Sequence, residues 1–120
     1  MAIVLVVDDA QTDRELMARV ITAAGHRVVL ASDGKEAISL AKVHHPALIF
    51  LDVVMPVMDG FATCRSLSRD PETSSIPVVL VTSKHTDSDV FWGKKQGATE
   101  HIGKPWSRDQ IETMLRRFCK

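Results

Sequence analysis

The stretch from Leu48 to Asp52 constrains this chain most strongly, because an apolar run ends abruptly in a carboxylate. A run of this length and composition is typical of a strand that is buried on both faces, as in a parallel sheet. Pro56 and Gly60 follow within one short loop, so the strand delivers Asp52 to its open end. A lone Asp after a strand most often caps the next turn, so a chemical role for Asp52 depends on the rest of the chain.

Five short apolar runs alternate with five segments of helical character. The predicted strands cover residues 3–7, 27–31, 48–52, 77–82 and 100–103. Helices are predicted between Thr12 and Gly25, between Gly34 and His44, and over residues 61–69, 87–96 and 107–119. Strict alternation of strand and helix implies right-handed crossovers, so we predict an α/β fold with a doubly wound, five-stranded parallel sheet.

The first helix carries signals at both of its ends. Thr12, with Glu15 three residues later, matches a capping box, and Gly25 supplies a C-terminal stop. Five apolar residues fall on one face of this helix, and we expect that face to be buried: Leu16, Met17, Val20, Ile21 and Ala24.

Length and composition fit a single domain over residues 1–120. At 13.3 kDa the chain can bury a real core but has no room for a separate output domain. Lysine plus arginine equal aspartate plus glutamate, at 15 each. The chain therefore lacks the basic charge of a nucleic-acid binder, and we expect no direct contact with nucleic acid.

Several features lead us to expect a cytoplasmic protein. Residues 1–7 are apolar but run directly into Asp8 and Asp9, without a basic leader or cleavage site, which indicates a strand rather than a signal peptide. No segment is long enough for membrane insertion. Cys64 and Cys119 follow no metal-binding spacing, so free thiols in a reducing compartment are expected.

Polar or charged side chains follow four of the five predicted strands. Asp8 and Asp9 follow the first strand, Asp52 ends the third, Thr82 ends the fourth and Lys104 follows the fifth. In an open parallel sheet the ligand site lies outside the carboxyl ends of the strands, where the strand order reverses. We therefore expect these side chains to meet at one site.

Each of these residues has an ordinary explanation when it is taken alone. Asp8 and Asp9 suit an acidic first helical turn, which the helix dipole favours. Thr82 suits a strand-end hydroxyl that bonds to the backbone, and Lys104 suits a solvated surface lysine. Their joint occurrence at four strand ends favours a common functional site over four separate coincidences.

Three carboxylates in one crevice repel one another, which a proton or a bound cation must relieve. Two unit charges ~4 Å apart repel by about 4 kcal/mol at an effective dielectric of ~20, so either one acid holds a proton or a cation is present. Carboxylate oxygens, a backbone carbonyl in the loop after Asp52 and water suit Mg²⁺, with Mn²⁺ as a substitute, and not Zn²⁺. Together with Lys104 and Thr82 the cation would surround a transferring phosphoryl group, with Asp52 as the nucleophile.

The whole sequence resembles the receiver domain of two-component response regulators. The matching motifs are Asp8-Asp9, Asp52, Met55-Pro56-Val57-Met58-Asp59-Gly60, Thr82-Ser83 and Lys104-Pro105. The resemblance implies a flavodoxin-like (βα)5 fold with strand order 2-1-3-4-5, and phosphoryl transfer to Asp52 from a sensor histidine kinase. It also implies that Mg²⁺ binds Asp9, Asp52 and the Val54 carbonyl, with Asp8 assisting through water.

The resemblance further implies a conformational switch. Thr82 would move toward the phosphoryl group after transfer, Lys104 would pair with that group, and the Lys104–Pro105 peptide would be cis. His101 stands where receivers often carry a Tyr or Phe that rotates on activation. We hypothesise that His101 is the rotating residue and makes activation sensitive to pH, because imidazole titrates near neutrality. A core or strand-end histidine without that role is the alternative.

The protein's output would depend on contacts with an unidentified partner protein. Trp92 and Trp106 are the only tryptophans, and we expect them to flank an output face made by the fourth helix, fifth strand and fifth helix, with packing in the core as the alternative. Phosphorylation would bias a two-state equilibrium of residues 82–84 and this face. Segments 70–77 and 92–98 most resemble the stand-alone PilH-type receivers of twitching-motility systems.

Three rival functions fit parts of the pattern. A flavin-binding module would need a phosphate loop after the first strand, where Asp8 and Asp9 would repel the flavin phosphate. A phosphatase or mutase with an aspartyl nucleophile usually needs a second acid at the position of Val54. A pseudo-receiver would signal without phosphorylation, although each acidic and basic residue of the site is present. The sequence favours a single-domain response regulator, monomeric or weakly dimeric, that is no turnover enzyme and acts through protein contacts or as a phosphate sink.

Overall fold

The computed structural model describes residues 1–119, in which five strands alternate with five helices. Lys120, which the sequence pattern assigns to a solvated helix end, lies outside the described residues. The strands are β1 (Ile3–Val7), β2 (Arg27–Ala31), β3 (Leu48–Leu51), β4 (Val78–Thr82) and β5 (Glu100–Gly103). The helices are α1 (Gln11–Ala23), α2 (Gly34–His44), α3 (Gly60–Arg69), α4 (Asp87–Lys95) and α5 (Arg108–Phe118).

All five strands run parallel in the order β2-β1-β3-β4-β5, which confirms the predicted fold class and strand order. The order reverses between β1 and β3, so a crevice opens beyond their carboxyl ends. The register pairs Val7 with Leu51 and Thr82 with Gly103. The residues at the carboxyl ends of β1, β3, β4 and β5 are therefore gathered on the same side of the molecule.

Helices cover both faces of the sheet, because successive strand residues point to opposite sides. Leu5 and Val7 face a cluster that includes Ala37 of α2 and Cys64 of α3. On the opposite face, alternating strand residues pack against α1 and α5 in a second cluster: Val4, Val6, Met17, Ile21, Ile111 and Leu115. The central strands are thus buried on both sides, as their continuous apolar runs predicted.

The start and the buried face of α1 differ from the sequence prediction. The helix begins at Gln11 with Ala10 as its N-cap, and no side chain caps it, so the predicted Thr12 and Glu15 capping box is wrong. The Glu15 carboxylate instead accepts a hydrogen bond from the Gln11 side-chain amide at 3.0 Å.

Only part of the predicted apolar face of α1 enters the core. Met17 and Ile21 are buried, whereas Leu16 is 46% exposed and Ala24 is also exposed. The buried stripe of α1 is narrow because the helix packs mainly on β1, β2 and α5. Leu16 is therefore left beside an open groove.

The two cysteines are free and buried, as expected from their spacing. Burial raises the pKa of the Cys64 thiol to about 11, so this group stays protonated and inert at neutral pH. Within residues 1–119, no helix has both the length and the apolar character that crossing a membrane requires.

Candidate functional site

The three acidic residues predicted from the strand ends lie together at the crevice. Asp8 and Asp9 follow β1, Asp52 follows β3, and carboxylate oxygens of all three lie within 4.8 Å of one another. Asp8 and Asp52 are buried, whereas Asp9 is exposed. The site therefore combines two shielded acids with one that faces solvent.

Lys104 reaches the same cluster from the end of β5. Its Nζ lies 2.8 Å from Asp8 Oδ2, 3.2 Å from Asp13 Oδ2 and 3.4 Å from Asp52 Oδ2. Burial alone would lower the pKa of Lys104, but the hydrogen bond to Asp8 and the charges of Asp52 and Asp8 raise it well above its usual value. The lysine is therefore a permanent cation among the carboxylates.

Asp52 is disfavoured as an anion by its surroundings. Burial raises the pKa of Asp52, and the neighbouring charge of Asp8 raises it further. The Lys104 charge and a hydrogen bond from the Val54 N–H, 3.3 Å from Asp52 Oδ1, act in the opposite direction without cancelling the rise. A carboxyl group perturbed by burial and by like charge is more typical of a functional site than of a turn cap.

The loop after β3 is held close to Asp52 by its backbone. The Gly60 N–H donates to the Val53 carbonyl at 2.8 Å, and a Cβ at position 60 would overlap the backbone of Asp52 and Val53. The Asp59 carboxylate caps α3 by accepting from the Ala62 N–H at 2.8 Å. Only glycine at position 60 leaves the segment that carries Asp52 undisturbed.

Thr82 adjoins Lys104 through the sheet. The Lys104 N–H donates to the Thr82 carbonyl at 3.0 Å, and the Thr82 side chain is buried at the end of β4. Its hydroxyl oxygen accepts a hydrogen bond from the Lys84 N–H at 3.2 Å. Thr82 is thus connected directly to the loop between β4 and α4. The Lys104–Pro105 peptide is cis, as the resemblance implied.

His101 lies on β5 and contacts the same loop. Its Nε2 is 2.8 Å from the Lys84 carbonyl, so Nε2 must carry the donated proton because a carbonyl only accepts. Its Nδ1 is buried beside Gly93 of α4 and has no hydrogen-bond partner among residues 1–119. The ring is therefore turned toward α4 and tied to the backbone of the β4–α4 loop.

The two tryptophans lie in different surroundings. Trp92 on α4 is 48% exposed and stands next to Phe91, which is 63% exposed. Trp106 is half-buried, packs against the core cluster under α1 and α5, and lines a groove of about 620 Å³ with Leu16 and Val20. Trp92 thus lies on the helix expected at an output face, whereas Trp106 borders α1.

Asp13 is a residue of this site that the sequence reasoning missed. It lies in the first turn of α1, five residues after Asp8, and contacts Lys104. An acid in the first helical turn has an ordinary explanation in the helix dipole. Nothing in the spacing distinguished it, because its contact is with a residue 91 positions away.

The sequence model of the response regulator receiver domain matches residues 4–116. The chain belongs to this family. It is 39% identical to protein PilH of Pseudomonas aeruginosa over 116 residues, which are 97% of this chain and 93% of that protein. It is 34% identical to the probable transcriptional regulator ycf27 of Cyanophora paradoxa, covering 98% of this chain and 48% of that protein, about half its length.

A solved structure supports the same family assignment. The chemotaxis protein CheY4 of Vibrio cholerae superimposes with a TM-score of 0.92 at 31% identity, and the match covers 98% of each chain. Receiver domains are signalling modules that bind Mg²⁺ at an acidic cluster. This membership argues against the flavin-binding and phosphatase alternatives.

The donor set of this chain fits such an ion. Asp8, Asp9 and Asp52 offer hard carboxylate oxygens within 4.8 Å of one another, and Asp9 is open to solvent for ligand water. Hard oxygen ligands and room for water are what Mg²⁺ requires. Val54, whose carbonyl the resemblance adds to the donor set, lies two residues after Asp52 and is exposed.

Proposed function

We propose that this receiver accepts a phosphoryl group on Asp52 from a sensor histidine kinase and signals through contacts that depend on that phosphorylation. The observation that supports this best is the placement of Asp52 beside both a permanent cation and two further carboxylates. A solvated turn cap needs none of these neighbours. A phosphoryl acceptor needs all of them.

The transfer uses a carboxylate oxygen of Asp52 as the nucleophile. It forms a bond to phosphorus while the bond from phosphorus to the imidazole nitrogen of the donor histidine breaks. The electron pair of the broken bond stays on that nitrogen, and a proton, either already on the other ring nitrogen or taken from water, makes the leaving group neutral imidazole. Lys104, 3.4 Å from Asp52 Oδ2, is placed to neutralise charge on the phosphoryl oxygens.

Asp8, Asp9, Asp52 and the Val54 carbonyl are the residues proposed to hold Mg²⁺, or Mn²⁺ in its place. The ion would supply positive charge that offsets repulsion between the acids and the incoming phosphoryl group. The residues of the chain supply the rest: burial removes water from Asp52, and the glycine at position 60 fixes the approach of the loop.

Thr82 and His101 are proposed to carry the signal away from the site. The Thr82 hydroxyl now accepts a hydrogen bond from the Lys84 N–H, and after phosphorylation it would instead donate one to a phosphoryl oxygen. Loss of the bond to Lys84 would alter the loop that also holds the His101 ring. The exposed Trp92 and Phe91 on α4 offer apolar area to a downstream protein. Trp106, which follows β5 and lines the groove beside α1, is the second tryptophan proposed to flank the output face.

The proposal extends to the cellular setting, the oligomeric state and the output of this receiver. The similarity to PilH supports a stand-alone, cytoplasmic receiver of residues 1–120 in a pilus-based or chemotaxis-like motility system, monomeric or weakly dimeric. Its output would be a protein contact, or the chain would drain phosphoryl groups from its kinase as a phosphate sink. It would not turn over a substrate.

Mass spectrometry after incubation with acetyl phosphate and Mg²⁺ tests the proposal. We expect one added phosphoryl group in the native chain and none in Asp52→Asn. Asp59→Asn is the matched control, because it makes the same change in the same loop and asparagine also caps a helix. Equal labelling of Asp52→Asn would move the acceptor elsewhere. No labelling of the folded native chain with acetyl phosphate or phosphoramidate would favour the pseudo-receiver alternative.

A further inference from the structure

The Lys104 ammonium has three hydrogen-bond donors, and three carboxylates occupy them. Asp8 and Asp52 belong to the proposed metal and phosphoryl site, but Asp13 does not. Asp13 is nonetheless nearer to Lys104 Nζ than Asp52 is, at 3.2 Å against 3.4 Å. The Asp13 side chain is 43% exposed, whereas those of Asp8 and Asp52 are nearly covered.

We propose that Asp13 is a positioning residue that competes with the phosphoryl group for Lys104 and so sets the affinity of the site for that group. The inference rests on the proposed function of Asp52 and deepens it. A donor held by Asp13 is not available to a phosphoryl oxygen, so part of the binding free energy is spent in releasing it.

The position of Asp13 makes this competition adjustable without disturbing the core. It lies on α1 at the end of the groove that Lys104 and Trp106 also line. Its partly exposed ion pair is weak enough to break, since such pairs contribute about 0–1 kcal/mol. Asp13 would therefore weaken phosphoryl binding without preventing it.

The test is the affinity of beryllofluoride, a phosphoryl mimic, at saturating Mg²⁺, followed by tryptophan fluorescence. Asp13→Asn should tighten binding by roughly two- to fivefold, the range expected for loss of a partly exposed ion pair. Asp13→Glu keeps the charge and should remain near the native affinity. Glu15→Gln removes the same charge from the same helix, where Glu15 contacts Gln11 instead of Lys104, and should change little.

A double-mutant cycle separates the ion pair from general charge effects. In a Lys104→Met background, Asp13→Asn should no longer change beryllofluoride affinity. Persistence of the gain in that background, a gain in Glu15→Gln of equal size, or weaker binding in Asp13→Asn would overturn the inference. Failure of the folded native chain to bind beryllofluoride or to become phosphorylated would instead refute the proposed function itself.

Mg²⁺ alone gives a second readout that needs no phosphoryl group. Without Asp13, the Lys104 ammonium should settle more fully on Asp8 and Asp52 and oppose the ion there. Asp13→Asn should then raise the Mg²⁺ dissociation constant more than Glu15→Gln does. Equal effects of the two variants on Mg²⁺ binding would contradict the competition for Lys104.

Discussion

The ionised Asp52 side chain destabilises the fold, although its position suits phosphoryl transfer. Its pKa is raised above the ordinary value of 3.8, first by burial and then by the charge of Asp8. The folded chain therefore resists the ionisation that the unfolded chain undergoes freely. The stability of the fold falls as pH rises from the ordinary value through the raised one, and the loss remains at neutral pH.

Replacing this carboxylate should accordingly stabilise the fold. In buffer without divalent metal at pH 7, Asp52→Asn should melt roughly 2–5 °C above the native chain, a typical shift for a change near 1 kcal/mol in a domain of this size. The gain should shrink as pH falls through the raised pKa of Asp52, because the native carboxyl then becomes protonated. Thermal melts followed by circular dichroism measure this. A variant less stable than the native chain at pH 7 would show that the Lys104 contact outweighs burial.

The His101 ring should make the conformation of the β4–α4 loop depend on pH. The neutral ring donates Nε2–H to the Lys84 carbonyl, and a second proton would have to sit on the buried Nδ1 beside Gly93. A charged group near the ring is the Asp89 carboxylate of α4, whose pKa is lowered by hydrogen bonds from Thr86 and further by the Lys84 and His101 side chains. Protonation should therefore displace the ring and release the loop.

Amide chemical shifts of Lys84 between pH 8 and pH 5.5 measure this release. We expect a titration in the native chain that His101→Phe abolishes. His85→Gln is the matched control, because the His85 ring also lies against β5, beside Gly103, without the hydrogen bond to Lys84. A Lys84 shift that stays flat in the native chain, or that disappears in His85→Gln instead, would remove the pH hypothesis.

Among the elements, the loop between β3 and α3 has the least room for change. A Cβ at Gly60 would overlap the Asp52 carbonyl and the Val53 Cα, and backbone atoms cannot move aside as side chains do. Gly60→Ala should cost about 1–3 kcal/mol of stability. Because displacement of Asp52 disturbs the reacting geometry, labelling by acetyl phosphate should slow by roughly tenfold or more.

Gly25→Ala is the control that separates the loss of stability in Gly60→Ala from the slower labelling. Gly25 has a φ of 93° and no atom near its Cβ position, so alanine there strains the backbone far from Asp52. Gly25→Ala should lower the melting temperature and leave labelling unchanged. A Gly60→Ala chain that labels at the native rate after correction for its folded fraction would show that the loop relaxes without moving Asp52.

The elements also show what the sequence could and could not predict. β3 and β4 were recognisable because strands buried on both faces leave continuous apolar runs, and their ends placed Asp52 and Thr82 correctly. The N-terminus of α1 was mispredicted because Thr12 and Glu15 match a local motif that the Ala10 turn overrides. The exposure of Leu16 depends on how α1 packs against α5, which a helical pattern does not specify.

At the scale of the whole molecule, zero net charge conceals a concentrated acidic site. Lysine plus arginine balance aspartate plus glutamate at 15 each. Yet Asp8, Asp13 and Asp52 all pair with the ammonium of Lys104, and Asp9 lies beside Asp8 and Asp52. The folded chain gathers these charges from β1, α1, β3 and β5, whereas the unfolded chain disperses them. A divalent cation should therefore bind the folded chain far better than the unfolded one, and stabilise it.

Mg²⁺ should raise the melting temperature of the native chain in proportion to its occupancy. At ten times the dissociation constant the gain is about 1.4 kcal/mol, which is several degrees for a domain of this size. Asp9→Asn should remove most of this gain, because Asp9 is the acid of the cluster that faces solvent. Glu72→Gln removes the same charge from the loop before β4, at the amino-terminal ends of the strands, and should keep the full response to Mg²⁺. If Mg²⁺ stabilises Asp9→Asn and Glu72→Gln equally, the ion acts by general screening of charge, and the acidic cluster is not its site.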